Sequence, residues 1–431
     1  MLSTLILFVA LFTATLVLML GDGLVGSLVS LRMSVEGIAT SLIGLVTSGF
    51  YVGLVLGSFV CPKVVYRSGH IRAFAAFAAI TTVTTLFFPL FIAPSVWFLL
   101  RVSTGISMMG LYMVVESWLI DRTEPQMRGR VFSVYMIITY LGAGLGQFFL
   151  NVSDIGGNDL FLICGILFSL CLIPVALTRS VNPSLPETTA MNLRPLFRRA
   201  PLGLIGALAT GTIGSAFFSL APVFSLHSGL TVHNVAWFMG VTILGGLVLQ
   251  WPVGILSDHF DRRLVLAGLS LLASLSSLLI ILAVHRSLLL LLLAAAIYGG
   301  LAFTLYPVSV AHTNDRIENW EIIPASTALI LCYGLGACLG PVAASGAMVL
   351  IGPSGLYAFL ALITGLLGIT GVTYRYFEKP MPEEAVPYIP VPQTSPVITA
   401  IHPYSEAEPG GEEEVPSELD TAGECPEEGQ D

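Results

Sequence analysis

The 431-residue sequence predicts an all-α polytopic membrane protein: twelve transmembrane helices in two six-helix halves, followed by a disordered acidic C-terminal tail. Three observations predict this. The chain is 55% hydrophobic and only 10% charged, where a soluble domain carries about 25% charged residues, and apolar runs of about 20 residues recur from end to end. The chain also repeats itself at one constant offset. Leu111-Tyr112, Asp121-Arg122 and Glu124 return as Leu305-Tyr306, Asp315-Arg316 and Glu318; Gly105 returns as Gly299, and LGAGLG from Leu141 as LGACLG from Leu335. A fixed offset held over this distance is the mark of a duplication. Finally, lysine and arginine sort almost completely into alternate loops.

The expected spans are 4–30, 38–60, 72–92, 95–119, 131–151 and 159–178, then 201–226, 233–256, 264–284, 287–311, 322–350 and 353–374. Backbone polar groups inside lipid must be satisfied within the segment, so these are helices; strands would alternate in polarity, and these do not. The N-terminus is apolar from Leu2 with no basic flank, which predicts a retained first helix and not a cleaved signal. Alternate loops hold Lys63, Arg67 and Arg72; Arg122, Arg128 and Arg130; Arg179 to Arg199; Arg262 and Arg263; Arg316; and Arg375 with Lys379. The opposite side has only Arg32 and Arg286. By the positive-inside rule both termini are cytoplasmic. The domains that follow are a first half at 1–178, a cytoplasmic linker at 179–200, a second half at 201–375 and a Pro/Glu-rich tail at 376–431. The linker's LRPLFRR could form a short interfacial helix, though a plain linker is the simpler expectation. The tail lacks apolar clustering and is expected to be disordered.

The net charge of −9 comes from that tail, which holds about half of the acidic residues. The basic residues are scattered among loops, which excludes a nucleic-acid surface. The six cysteines show no metal spacing and read as small helix-packing residues. No phosphate loop, zinc spacing, haem motif or nucleophile elbow is present, so no cofactor, no metal and no enzyme chemistry are expected.

Gly254 to Arg263, GILSDHFDRR, ends the eighth span. It resembles the G-x-L-x-D-x-x-G-R-R motif of the major facilitator superfamily (MFS), with Asp261 at the motif's second glycine. The first-half loop from Pro62 to Arg72, PKVVYRSGHIR, is a degenerate copy with Tyr66 at the aspartate position. Arg101 with Gly105 is similar to the arginine–glycine pattern of the family's fourth helix. VVESWL and the following RGR are similar to the YcaD type of transporter. The resemblance covers about residues 1–375 and implies the MFS fold. It also implies a secondary transporter whose halves rock about a site near the membrane midplane.

Two charges stand deep in spans. Asp22, within Gly21-Asp22-Gly23, lies about 25 Å along the first helix; Arg101 lies about 9 Å into the fourth, which runs the other way, so both fall at similar depth. An ionisable residue in a span is a functional hypothesis by default. Burial and the arginine pull Asp22's protonation in opposite directions. Asp22 is the candidate proton carrier, and Arg101 would tune it or hold an anionic substrate; a purely structural pair is the alternative. Tyr112 and Tyr306, equivalent in the repeat, are candidate substrate contacts or simple packing aromatics. Gln147 and Gln250 read as interhelical hydrogen-bonding groups or ligand contacts, and the glycine rows as close-packing faces. Glu116, about 22 Å beyond Arg101, is expected with Arg67, Asp121 and Arg128 in a cytoplasmic gate, with a second proton site or a snorkelling carboxylate as the alternatives. Gly254, Asp258, Arg262 and Arg263 with Asp315 and Arg316 are expected to form the second-half gate cluster, a solvated charge run being the alternative. His227 and His233 read as ordinary loop residues.

The expected function is secondary active transport of a small solute by alternating access across the bacterial inner membrane, driven by protons. Its partners are the solute, protons and the lipid bilayer, and the protein is a monomer. Rivals are an efflux pump for amphipathic compounds and a transporter-fold sensor or scaffold acting through the tail. A membrane-embedded enzyme would need several polar groups at one depth, and only Asp22 and Arg101 qualify.

Overall fold

A computed structural model describes residues 2–124, 127–177, 193–318 and 321–377. Twelve of its segments are long and apolar enough to cross a membrane. The first half comprises α1 (Leu2–Val35), α2 (Thr40–Ser68), α3 (His70–Phe87), α4 (Pro94–Asp121) and α5 (Arg128–Gly146), with the sixth span split into α6 (Asp159–Leu170) and α7 (Leu172–Ala176). A short helix, α8 (Leu193–Arg199), precedes the second half. That half comprises α9 (Pro201–His227), α10 (Val232–His259) and α11 (Arg262–Ala283), a tenth span split into α12 (Leu288–Ala302) and α13 (Leu305–Asn314), then α14 (Ile322–Ile351) and α15 (Gly355–Phe377). Residues 178–192, which include most of the linker, and residues 378–431, nearly all of the tail expected to be disordered, lie outside the described residues. Within the linker, LRPLFRR is helical, the alternative the sequence ranked second.

Both split spans restart just before a proline. Proline has no N–H to give to the carbonyl four residues back, so it costs least in a helix's first turn. Pro174 and Pro307 each sit third in a new helix, α7 and α13. The tenth span therefore breaks between Ala302 and Leu305, where the sequence predicts one continuous helix.

Glycines let backbones touch within each half. A methyl group at Gly53 would strike the Val102 carbonyl, and one at Gly105 the Phe50 carbonyl, so α2 and α4 are in direct backbone contact. In the second half Gly299 abuts the Thr242 carbonyl and joins α12 to α10 in the same way. The glycine rows pair likewise: Gly142 and Gly146 close on α1 at Met19 and Leu20, while their repeat partners Gly336 and Gly340 close on α9 at Leu208 and Thr212. The duplication seen in sequence is thus a duplication of packing.

The end of the bundle where α1 finishes is termed distal, and the end carrying the N-terminus proximal. Each half is knit at its distal end by aromatic rings. In the first, Trp97 meets Phe88 edge-on at 5.2 Å and donates its indole N–H to the Phe91 carbonyl at 2.6 Å. In the second, Tyr357 meets Phe224 at 4.8 Å and Tyr298 at 5.7 Å.

Candidate functional site

Between the halves lies a cavity of about 210 Å³. The first half contributes Asp22, Phe50, Tyr51, Arg101, Tyr112 and Tyr140; the second contributes Ser219, Gln250, Phe303, Pro307 and Tyr333. The flanking glycines explain how Asp22 is placed. A side chain at Gly21 would meet the Phe168 ring of α6, and one at Gly23 the backbone of Ala143 in α5. Two bare positions therefore let α5 and α6 close on α1 at the level of the carboxylate. Gln147 fixes the same level: its side-chain amide donates to the Gly23 carbonyl at 2.7 Å, and its oxygen accepts from the Ser27 hydroxyl at 2.6 Å.

The cavity brings together Asp22, Arg101 and Tyr112, as the similar depths of the two charges lead one to expect, but it does not join the two charges in a salt bridge. Asp22 accepts a hydrogen bond from the Tyr112 hydroxyl at 3.5 Å. Arg101 is 5% exposed, and its guanidinium lies over the Phe50 ring, 4.6 Å from the centroid. Its Nε and one terminal nitrogen are buried with no acceptor. Gln250 reaches across from the second half, donating to the Tyr140 hydroxyl at 3.5 Å.

Tyr306 is not part of this wall. It is 1% exposed in a separate apolar cluster with Leu204, Ala207 and Leu329, and it meets Tyr333 edge-on at 5.2 Å. The reason is the helix break: α4 runs unbroken past Tyr112, while the tenth span restarts at Leu305 and turns Pro307 to the cavity.

At the proximal end the second-half cluster forms as a unit. Arg262, fully buried, donates to Asp315 at 2.8 Å and to the Ala311 carbonyl at 2.7 Å, and it meets Asp258 at 3.2 Å. Arg263 pairs with Asp261 at 2.7 Å. Gly254 is buried and Arg316 half-buried. The first-half cluster is different. Asp121 pairs with its neighbour Arg122 at 3.2 Å, and Arg67 is exposed and makes no hydrogen bond or ion pair among the described residues. Glu116 is completely buried and accepts from the Tyr135 hydroxyl at 2.9 Å; Arg128 is half-buried. At the position matching Arg262 stands His70, also buried, 2.9 Å from the Ser117 hydroxyl and beside the Trp118 ring.

The profile of the Major Facilitator Superfamily matches residues 11–245 and 226–402, which together span most of the sequence. The chain belongs to the major facilitator superfamily. It is 29% identical over 333 residues to an uncharacterized MFS-type transporter of Enterobacter sp. (strain 638), covering 76% of this chain and 85% of that one. It is 29% identical over 336 residues to the uncharacterized MFS-type transporter YcaD of Escherichia coli O17:K52:H18, covering 77% and 86%. Two solved structures share the fold: the nucleoside transporter NupG, with a TM-score of 0.73 at 13% identity over 86% of this chain and 100% of that one; and a bacterial homolog of the human lysosomal transporter Spinster, inward-facing and unoccupied, with a TM-score of 0.63 at 16% identity over 93% and 98%. The protein is a multi-pass membrane transporter of this superfamily, and a transporter of this kind binds a small-molecule substrate.

Several residues of this MFS transporter join its halves, among them His227, read from sequence as an ordinary loop residue, and Gly144, read as part of a close-packing row. The Ser34 hydroxyl lies 2.8 Å from the His227 ring at the distal end, and Phe148 meets Trp237 edge-on at 4.8 Å. Gly44 abuts Ser345 and the Pro341 carbonyl, and Gly144 abuts Leu244. Hydroxyls and aromatics are common in spans, and nothing in their spacing marks these. Arg199 pairs with Glu321 at 2.6 Å, a contact between α8 and the start of α14 equally unmarked in sequence.

Proposed function

We propose that the protein is a proton-coupled secondary transporter of a small solute, working by alternating access in the bacterial inner membrane as a monomer with both termini cytoplasmic. The observation that carries this reading is the cavity between the halves, walled by the carboxylate of Asp22 and the guanidinium of Arg101 deep in their spans. A buried ionisable group at a transporter's midplane marks a substrate or ion pathway. Asp22 is the proton carrier and Arg101 the group that responds to it or to the solute. The contacts across the halves described above gather at the distal end. That arrangement supports a state closed toward the periplasm. The proximal clusters act as the gate: Asp258, Arg262, Arg263, Asp315 and Arg316 from the second half, Glu116, Asp121, Arg67 and Arg128 from the first.

A solute found by thermal unfolding against a metabolite and drug panel supplies the test, since even weak ligands stabilise the folded state at high concentration. In vesicles under an imposed pH gradient, Asp22→Asn is expected to abolish uphill accumulation of that solute and to leave exchange intact. Normal gradient-driven accumulation by Asp22→Asn would remove Asp22 from the coupling. Efflux of amphipathic compounds is a second reading, favoured by the uncharged second-half wall with Phe218 and Phe303. Broad competition among unrelated lipophilic ligands would favour it over a single solute class.

A further inference from the structure

Arg101 is a cation without a sufficient partner. Its Nε and one terminal nitrogen are buried and make no hydrogen bond, although the side chain lines the central cavity. An unsatisfied buried donor is costly, the more so when it is charged. Asp22 does not supply the acceptor, because it faces the Tyr112 hydroxyl and makes no salt bridge with the arginine. The titratable and charged groups that bear on Asp22 are Arg101 and Tyr112 from α4, Tyr51 from α2 and Cys164 from α6. Arg101 is the one cation among them.

The rest of the wall has a definite shape. Phe50 lies under the guanidinium. From the other half, Phe218 and Phe303 stack nearly parallel, their planes 8° apart and their centroids 5.5 Å apart. An unpaired guanidinium that lines a cavity matches a carboxylate or similar oxyanion, and flat apolar faces match a ring.

We propose that the cavity binds an organic monoanion with a flat aromatic body, its oxyanion on the Arg101 guanidinium and its ring among Phe50, Phe218 and Phe303, and that it binds together with one proton on Asp22. This rests on the transport reading for its purpose, and on charge for its logic. With Asp22 ionised, Asp22 and Arg101 sum to zero, and an anion would leave an unbalanced negative charge out of water. With Asp22 protonated they sum to one positive charge, and the anion neutralises it. Anion and proton therefore favour each other's binding, and linkage makes the effect reciprocal.

The test is calorimetric titration of the purified full-length protein with four probes of one shape: 2-naphthoate, naphthalene-2-sulfonate, 2-naphthamide and 2-naphthylmethylamine. The sulfonate stays charged throughout, so any pH dependence in its binding belongs to the protein. Both anions are expected to bind at least about tenfold tighter than the amide and the amine, and the sulfonate to weaken about tenfold or more between about pH 5.5 and about pH 8. Arg101→Gln should lose the preference for anions while its unliganded unfolding temperature holds, and Arg101→Lys should keep part of it. Asp22→Asn should bind the sulfonate equally at both pH values. Amide or amine binding as tight as the anions, unchanged affinity in Arg101→Gln, or no anion binding at millimolar concentration each overturns the anion site and leaves the transport reading standing. Anion selectivity that survives with no pH dependence in the wild type overturns the bound proton, and proton coupling with it, while the anion site remains.

Discussion

Asp261 stands where the superfamily's motif has a glycine, and its geometry explains why the aspartate is tolerated. Its φ is −53°, so no left-handed backbone is needed, and its carboxylate caps α11 by accepting from the Arg263 N–H at 3.0 Å. The matching residue of the first half, Gly69, has a φ of +80°, which only glycine adopts readily. The two loops are therefore not interchangeable. Burial alone would raise the Asp261 carboxyl, but the hydrogen bonds and charge of Arg263, with the charge of His312, outweigh it and hold the group below its ordinary value of 3.8. A depressed carboxylate contributes stability above its unfolded value and loses that contribution as pH falls through the folded one. Asp261→Asn should therefore unfold at lower temperature than the wild type near neutrality, and the gap should close as pH drops below that ordinary value. A gap that widens in acid would contradict the Asp261–Arg263 contact. Among the cavity residues, Asp22 and Arg101 were legible in the sequence because charge in an apolar run stands out. Tyr333 was not, because one aromatic in a span resembles any other, and Tyr306 misled because the repeat carries its identity but not the helix break beside it.

At the scale of elements, the twelve spans were readable because lipid enforces length and apolarity together. The breaks within the sixth and tenth spans were not, since apolarity continues straight through them. The glycines were readable as small but not as contacts; that needs the partner helix. Gly53→Ala would drive a methyl group into the Val102 carbonyl and Gly105. The expected cost is about 1–3 kcal/mol, seen as a lower unfolding temperature in detergent. Gly268→Ala is the control: nothing lies within contact of a Cβ there, and it sits exposed in α11, so alanine should be neutral or stabilising. Equal losses in both variants would show that the α2–α4 backbone contact is not the cause.

For the whole molecule, the repeat announced two halves, but not which contacts hold them together. Ser34 and His227 belong to different halves and meet at 2.8 Å. With both replaced by cysteine, an oxidative cross-link between them should form readily, stop transport, and release it on reduction. Undiminished transport by the cross-linked protein would show that the distal ends do not separate during the cycle. The backbone contact between α2 and α4 has a further consequence. Phe50 lies on one of these helices and Arg101 on the other, and Gly53 and Gly105 hold the two backbones in direct contact between them. However the halves tilt, that strut carries the ring and the guanidinium as a single rigid jaw. In the proposed cycle, recognition of the solute's charged end would travel with the first half, and the second half would close on it from the other side as the moving jaw of a vice.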